Sequence, residues 1–210
     1  MKFKSSLFFC LFFLNISFLY LQKVGIVSEI NSQMGYAVFK GELLTEKAIL
    51  EKDLDYDLID FLHQYYKGKN IASKDIDPIG LSFPEIPSYE IERYRELCKE
   101  NNINQLLIIS KIKYFSPDDA MVIYESLNHE LGIEAYVKTK TRAMMYGNFR
   151  IFLYNLGDHT IKDVVNKVYI PHRFKNPVFD EKNYDLINDE VKKLLVEDLE
   201  KKITGKMDRH

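Results

Sequence analysis

Cysteine is scarce in this chain, and its scarcity excludes a fold held together by disulfides. The 210 residues contain two cysteines, Cys10 and Cys98. We expect Cys10 to be removed with the N-terminal segment described below, which leaves Cys98 without an intramolecular partner. A domain of this size buries enough surface to need no covalent staple. Cys98 lies on the apolar stripe of a predicted helix, where a cysteine is typically structural.

The chain also lacks an excess of charge of one sign. It has 29 Lys and Arg residues and 31 Asp and Glu residues, giving a net charge of −2, and the two signs are interspersed. A nucleic-acid-binding domain normally carries a concentrated basic patch. We therefore predict no nucleic-acid partner.

Motifs for catalysis and cofactor binding are missing as well. Residues 80–84 resemble a nucleophile elbow but have Pro84 where the second glycine should be. His129 and the glutamate after it lack the second histidine of a zinc-protease helix. The acidic residues 53–57 lack the glycine and the distal glutamate of a calcium loop. No glycine-rich phosphate loop occurs. We predict no metal, no cofactor and no identifiable catalytic residue, with a hydrolase site assembled from dispersed residues as the alternative.

One long apolar run is present, at the N-terminus. Residues 7–21 follow Lys2 and Lys4 and consist mainly of Leu, Phe and Ile. As a helix they would span about 22 Å, whereas a bilayer core of about 30 Å needs roughly 20 residues. We interpret residues 1–22 as a signal peptide and residues 23–210 as a single domain. The protein would then be periplasmic or secreted; the alternative is a membrane anchor formed by residues 7–21.

Hydrophobic periodicity predicts the elements of this domain. Predicted helices cover residues 53–66, closed by Gly68, a stretch from the N-cap Ser88 to Asn101, and residues 184–203. Residues 69–88 are a predicted loop. Turns are predicted at residues 116–119, 146–148 and 157–158, and Pro171 is predicted to end a strand. The predicted strands cover residues 23–29, 36–39, 105–114, 133–145, 149–154 and 161–170.

This order of elements indicates an α+β fold, with a mixed, largely antiparallel sheet and helices packed on one of its faces. Residues 106–109 are a continuous apolar run, as in a central strand that is buried on both sides. We therefore expect Leu107 and Ile109 to lie in the core.

The clearest alternation in the chain predicts a candidate interaction surface. From residue 133 to residue 145, apolar residues alternate with polar ones, which indicates a strand with one buried and one wetted side, beginning with Ile133 and Glu134 respectively. Basic and aromatic residues on the wetted side would suit an anionic polymer or an acidic partner. The alternative is an ordinary solvated strand face. The residues of this predicted surface are Tyr136, Lys138, Lys140, Arg142, Arg150 and Tyr154.

Residues 89–110 resemble the helix-then-strand step of small bacterial envelope domains. These domains are the curli-secretion lipoprotein, the N-terminal domain of the Tol-system propeller protein and the outer-membrane lipoprotein activators of peptidoglycan synthases. Residues 149–158 are similar to their later strand, and residues 184–203 to their closing helix. The resemblance implies a sheet with flanking helices, no catalysis and binding to envelope proteins. It carries over no functional residue, and Cys10, preceded by two phenylalanines, does not fit the lipidation site of many members.

We predict that the chain is exported and cleaved. N-terminal sequencing of the protein from its native host should find a first residue between about Ser17 and Lys23, because signal peptidase cuts just after the apolar segment. An intact Met1 in the cytosolic fraction would contradict this prediction.

Overall fold

Eight strands and three α-helices form the described part of the chain. The computed structural model describes residues 22–40, 50–84, 87–112, 129–137, 142–173 and 189–209. The α-helices are α1 (Leu58–Gly68), α2 (Ile91–Asn101) and α3 (Asp189–Met207). The strands are β1 (Lys23–Ser28), β2 (Gln33–Lys40), β3 (Leu50–Asp57), β4 (Ala72–Asp75), β5 (Gln105–Lys111), β6 (Leu131–Val137), β7 (Arg142–Asn155) and β8 (Thr160–Arg173). They form one mixed sheet, which confirms the predicted α+β class.

Strand β7 organises this sheet. Both β5 and β6 run antiparallel to it, one after the other, with Lys111 opposite Phe149 and Leu131 opposite Gly147. Strands β1 and β2 run parallel to β5 and β6 respectively. Strand β8 pairs with β7 along both halves of its length. The outer positions are taken by β4, parallel to β1, and by β3, antiparallel to β2.

Alternate residues of the central strand β5 enter two different cores. Leu107 and Ile109 belong to the core under α1 and α3, and Leu106 and Ile108 to the core under α2. All four are at most 1% exposed, which confirms the predicted buried central strand. The helices therefore cover both faces of the sheet, whereas the sequence pattern placed them on one.

The first helix begins later than predicted. Asp53 and Asp55 belong to β3, and the side chain of Asp57 caps α1 by accepting hydrogen bonds from the backbone N–H groups of Ile59 (2.7 Å) and Asp60 (3.1 Å). Gly68 is the last residue of α1, and the left-handed conformation after it belongs to Asn70, with φ 59°. Asparagine tolerates this conformation better than most residues.

The second helix also begins later, but it ends where predicted. A 3-10 turn at Pro87–Glu90 precedes α2, and Glu90 occupies the N-cap position without a side-chain hydrogen bond, so Ser88 is not the cap. Asn102, with φ 52°, closes the helix. The predicted loop before this turn contains β4, a short edge strand without large apolar side chains.

The predicted long strand 133–145 is in fact parts of two antiparallel strands. Ile133 of β6 lies opposite Met145 of β7, and residues 138–141 between the strands lie outside the described residues. The turn predicted at residues 146–148 is instead part of β7, where the register with β8 shifts. Glu134 is fully buried, so the predicted wetted side is covered at this position.

Strand β8 continues through Pro171 to Arg173, so Pro171 does not end it. Among the described strands β8 pairs only with β7, and a proline without an N–H is tolerated on such an edge. The turn predicted at residues 157–158 is confirmed between β7 and β8. The predicted signal peptide, the turn at residues 116–119 and the first residues of the last predicted helix lie outside the described residues.

Truncating Leu107 or Ile109 to Ala should lower the free energy of unfolding by roughly 2–5 kcal/mol, because each change leaves a cavity beneath α1 and α3. Urea denaturation measures this loss. The matched control is Ile79→Ala, at a side chain that is 79% exposed. That control should change the free energy by less than about 0.5 kcal/mol. A loss below about 1 kcal/mol at both core positions would contradict the central placement of β5.

Candidate functional site

Only part of the predicted interaction surface lies within the described residues. Lys138 and Lys140 lie outside them, and the side chains of Tyr136 and Arg142 do so as well, although the backbones of these two residues pair across β6 and β7. Arg150 is partly buried, and its Nε donates a hydrogen bond of 3.3 Å to Asn166 Oδ1 on β8. The docking role of this surface stays a prediction.

Tyr154 is fully buried and lies in the core under α2. Its ring packs 6.0 Å from that of Tyr94, and its hydroxyl lies 3.0 Å from His159 Nδ1. Burial raises the pKa of this hydroxyl. A partner that docks on Arg150 would therefore not touch the ring of Tyr154, which is a correction to the predicted surface.

Helix α1 and strand β4 bring together a serine, a histidine and an aspartate. His63 Nδ1 lies 2.7 Å from Ser73 Oγ, and His63 Nε2 lies 2.8 Å from Asp75 Oδ1. The distances are those expected between a nucleophile, its base and an orienting carboxylate. Since β4 has no apolar pattern that reveals it as a strand, nothing in the sequence pairs Ser73 with His63.

The exposures in this cluster are the reverse of those in a nucleophilic triad. A triad buries its carboxylate to orient the imidazole and exposes its serine to substrate. Here the Asp75 side chain is 69% exposed and that of His63 is 27% exposed, while Ser73 is partly buried between helix and strand. The ring can accept from the Ser73 hydroxyl and donate to Asp75, which satisfies all three groups. We interpret the cluster as a tie that holds α1 on the edge strand.

A second histidine cluster lies beside the loop between β1 and β2. The His129 side chain is 9% exposed, with Nε2 2.9 Å from Asp53 Oδ1 on β3 and Nδ1 3.2 Å from the carbonyl oxygen of Gln33 on β2. Both partners are acceptors, and the ring donates to one or the other according to its tautomer. The side-chain amide of Asn31 stands 3.5 Å from Nδ1, at the limit of a hydrogen bond. His129, which directly precedes β6, therefore connects the neighbouring strands β2, β3 and β6.

The side chain of His129 lies close against Gly35. A Cβ added to Gly35 would come within 2.5 Å of His129 Cδ2 and 2.8 Å of Cγ. Only a residue without a side chain leaves room for the ring at this place on β2. The sequence shows a histidine followed by a glutamate, but not this contact.

The sheet has two halves joined by β7: one contains β1, β4 and β5, and the other contains β2, β3 and β6. Glu130 joins the ends of strands from both halves. Its Oε1 accepts a 2.9 Å hydrogen bond from Lys111 Nζ, and its Oε2 accepts one of 3.2 Å from the backbone N–H of Asn31. The backbone N–H of Lys111 in turn donates to Glu29 Oε2 at 3.0 Å. Here β1 ends and β2 begins, and on β7 the pairing passes from β5 to β6. The charged side chains thus satisfy backbone groups where the sheet ladder is interrupted.

Cys98 is the only cysteine among the described residues, and it is fully buried in α2. Burial raises the pKa of its thiol to about 12. The thiolate, which is the nucleophilic form, is then almost absent at neutral pH. The structure therefore supports the structural role predicted for this cysteine.

An open groove of about 460 Å³ lies between α1 and α3. Glu197, Glu200, Lys201, Thr204 and Gly205 on successive turns of α3 line it, together with Phe61 and Asp208. Asp208 accepts a hydrogen bond of 2.8 Å from the Tyr65 hydroxyl and also pairs with Lys69, which ties the C-terminal ends of the two helices together. The groove was not predicted, because it depends on how two distant helices pack.

Within residues 22–209, excluding the gaps noted above, no group of three or more His, Cys, Asp or Glu side chains is arranged to hold a metal ion. Over the same residues, no helix combines the length and apolar character needed to cross a membrane.

The sequence matches no protein-family profile and no curated protein sequence. Two solved structures show a remote likeness. Lipoprotein GNA1162 from Neisseria meningitidis is 9% identical over 87% of this chain and 99% of its own, with a TM-score of 0.34. The hypothetical protein CT253 from Chlamydia trachomatis is 7% identical over 87% of this chain and 97% of its own, with a TM-score of 0.33. A likeness of this degree defines no family and transfers no function.

We predict that Gly35→Ala destabilises the protein by roughly 1–3 kcal/mol, because the added methyl group collides with the His129 ring. In a His129→Ala background the same change should cost less than about 1 kcal/mol, since the ring is gone. Urea denaturation of the four proteins gives this double-mutant cycle.

The matched control is Gly68→Ala at the end of α1, where an added Cβ meets nothing within 4 Å. That substitution should leave the stability unchanged or raise it by up to about 1 kcal/mol. Equal costs of Gly35→Ala in the two backgrounds would show that the His129 contact is not what requires glycine.

Proposed function

We propose that this protein is an exported, non-catalytic binding module of the bacterial cell envelope. The observation that carries the proposal is the use made of its reactive residue types. The cluster of His63, Ser73 and Asp75 holds α1 on β4. The pair of His129 and Asp53 holds strands together. Cys98 is buried with a raised pKa. These groups stabilise a scaffold, and the open groove between α1 and α3 is a surface on which a partner can dock.

Export is the part of this proposal that rests on the sequence. The short apolar run 7–21 after two lysines favours a cleaved signal peptide and a periplasmic or secreted protein. Retention of that run would instead anchor the same domain to the membrane. The resemblance of residues 89–203 to envelope domains that bind other proteins agrees with either placement.

A hydrolase is the second candidate, and one specific observation favours it. His63 lies within hydrogen-bond distance of both Ser73 and Asp75, as a base does between a nucleophile and an orienting carboxylate. Attack by Ser73 Oγ on an ester carbonyl would transfer the hydroxyl proton to His63 Nδ1, and that proton would then pass to the departing alkoxide. The exposed Asp75 and the inward position of Ser73 count against this function.

We expect affinity capture from a solubilised envelope extract of the native host to retain an envelope protein in a stoichiometric amount. The bait is the tagged chain, and the control is the same bait unfolded by heat, which presents the same sequence without the folded surface. Quantitative mass spectrometry measures the ratio of partner to bait. Equal recovery on folded and unfolded bait would contradict a folded binding module.

Covalent labelling of the same preparation separates the two candidate functions. A binding module should not react with a fluorophosphonate probe. Labelling that disappears in Ser73→Ala and persists in Ser88→Ala, at an exposed serine outside the cluster, would establish the hydrolase instead.

A further inference from the structure

The groove between α1 and α3 is lined by acidic side chains and by one aromatic ring. Glu197 and Glu200 lie one helical turn apart on α3, and Phe61 of α1 also lines the groove. Lys201 lies 4.0 Å from Glu197 and 3.9 Å from Asp198, and Asp208 is paired with Lys69. Glu200 makes no hydrogen bond or ion pair with any residue in the described part of the chain. Its carboxylate is therefore the lining charge that the described residues leave without a partner.

The surroundings of Glu200 disfavour the charged form of its carboxyl group. Partial burial and the neighbouring carboxylate of Glu197 both raise the pKa of Glu200, burial being the larger cause. The buried hydroxyl of Tyr56 has no hydrogen-bond partner within the described ranges, and the charge of Glu200 adds to the burial that raises the pKa of Tyr56. A cation placed in the groove would offset the repulsion between the carboxylates of Glu197 and Glu200.

Gly205 lines the groove without a side chain. It lies in the last turn of α3. A Cβ added there would meet nothing within 4 Å, so no neighbouring atom in the fold requires a glycine. Because Gly205 lines the groove, a larger side chain at this position would enter the space beside Glu200.

We propose that this groove binds a Lys or Arg side chain of a partner polypeptide. The charged end would pair with Glu200 and Glu197, and the aliphatic stem would pack along Phe61. A long side chain with an apolar stem and a cationic end matches a groove that combines an aromatic wall with unpaired carboxylate. This inference deepens the proposed binding function, on which it rests, by naming the chemistry of the partner.

The test uses a fluorescein-labelled peptide of four Arg-Gly repeats, and the same peptide with citrulline in place of arginine. Citrulline has a similar shape but no charge. Fluorescence anisotropy with the full chain should show binding of the arginine peptide that is at least tenfold tighter than that of the citrulline peptide. Equal affinity for the two peptides would overturn the proposal.

Three variants locate the binding on the chain. Glu200→Gln should weaken binding of the arginine peptide about fivefold or more, because it removes the unpaired charge. Glu190→Gln removes the same charge from an exposed position in the first turn of α3 and should change the affinity less than about twofold. Equal losses in these two variants would mean that the peptide responds only to net charge, and would overturn the site.

Gly205→Leu separates binding from folding. It should weaken the arginine peptide more than tenfold by filling the groove, while the melting temperature stays equal or rises by a few degrees, because leucine is the better helix former. Unchanged peptide binding in this folded variant would overturn the proposal. If Gly205→Leu still captures the envelope partner, the protein is a binding module that uses another surface. If the folded, unsubstituted protein captures no more partner than the heat-unfolded bait, the proposed function itself is contradicted.

Discussion

The backbone of β7 carries ladder hydrogen bonds to β5, β6 and β8, and the rest of the sheet is attached through these three strands. Each half of the sheet has its own inner and outer strands, and β7 joins the two halves. The helices pack on this shared sheet. Helices α1 and α3 cover one of its faces, and α2 covers the other. The groove between α1 and α3 thus lies on a platform that extends across both halves.

Several charged and polar residues gather where the two halves of the sheet meet. Lys111, Glu130 and Glu29 satisfy one another and the backbone groups exposed where strands end. His129 does the same for β2 and β3, with Gly35 making room for its ring. These residue types commonly serve catalysis, yet here they compensate for an irregular sheet. A polar cluster in a fold of this kind must be judged by which of its groups face solvent before a reaction is assigned to it.

The sequence was sufficient for the fold class and for the most buried elements, and the reasons for its failures are physical. The apolar run 106–109 has no other place than the centre of a sheet. The alternation across residues 133–145 continues in phase through the β6–β7 connection, because Ile133 and Met145 lie opposite each other on the same side. Period alone cannot reveal that the chain reverses direction between the two strands. Strand β4 has no large apolar residue, so its pairing with β1 and its contact with His63 leave no pattern, and the groove depends on contacts between distant helices.

The order of the strands along the chain also has a kinetic consequence. The β7–β8 hairpin is local and can form soon after its turn is made. Strand β1, in contrast, finds its inner neighbour only in β5: the Lys23 backbone bonds to Asn104 across 81 residues. Strand β2 must wait still longer, for β6. Such high contact order slows folding, so the N-terminal third of the domain is synthesised before the strands that complete its sheet exist. During that interval β1 has only β4 as a partner and β2 has only β3, so each keeps one edge unpaired. Early truncation products and slow refolding are therefore the conditions under which this chain should aggregate.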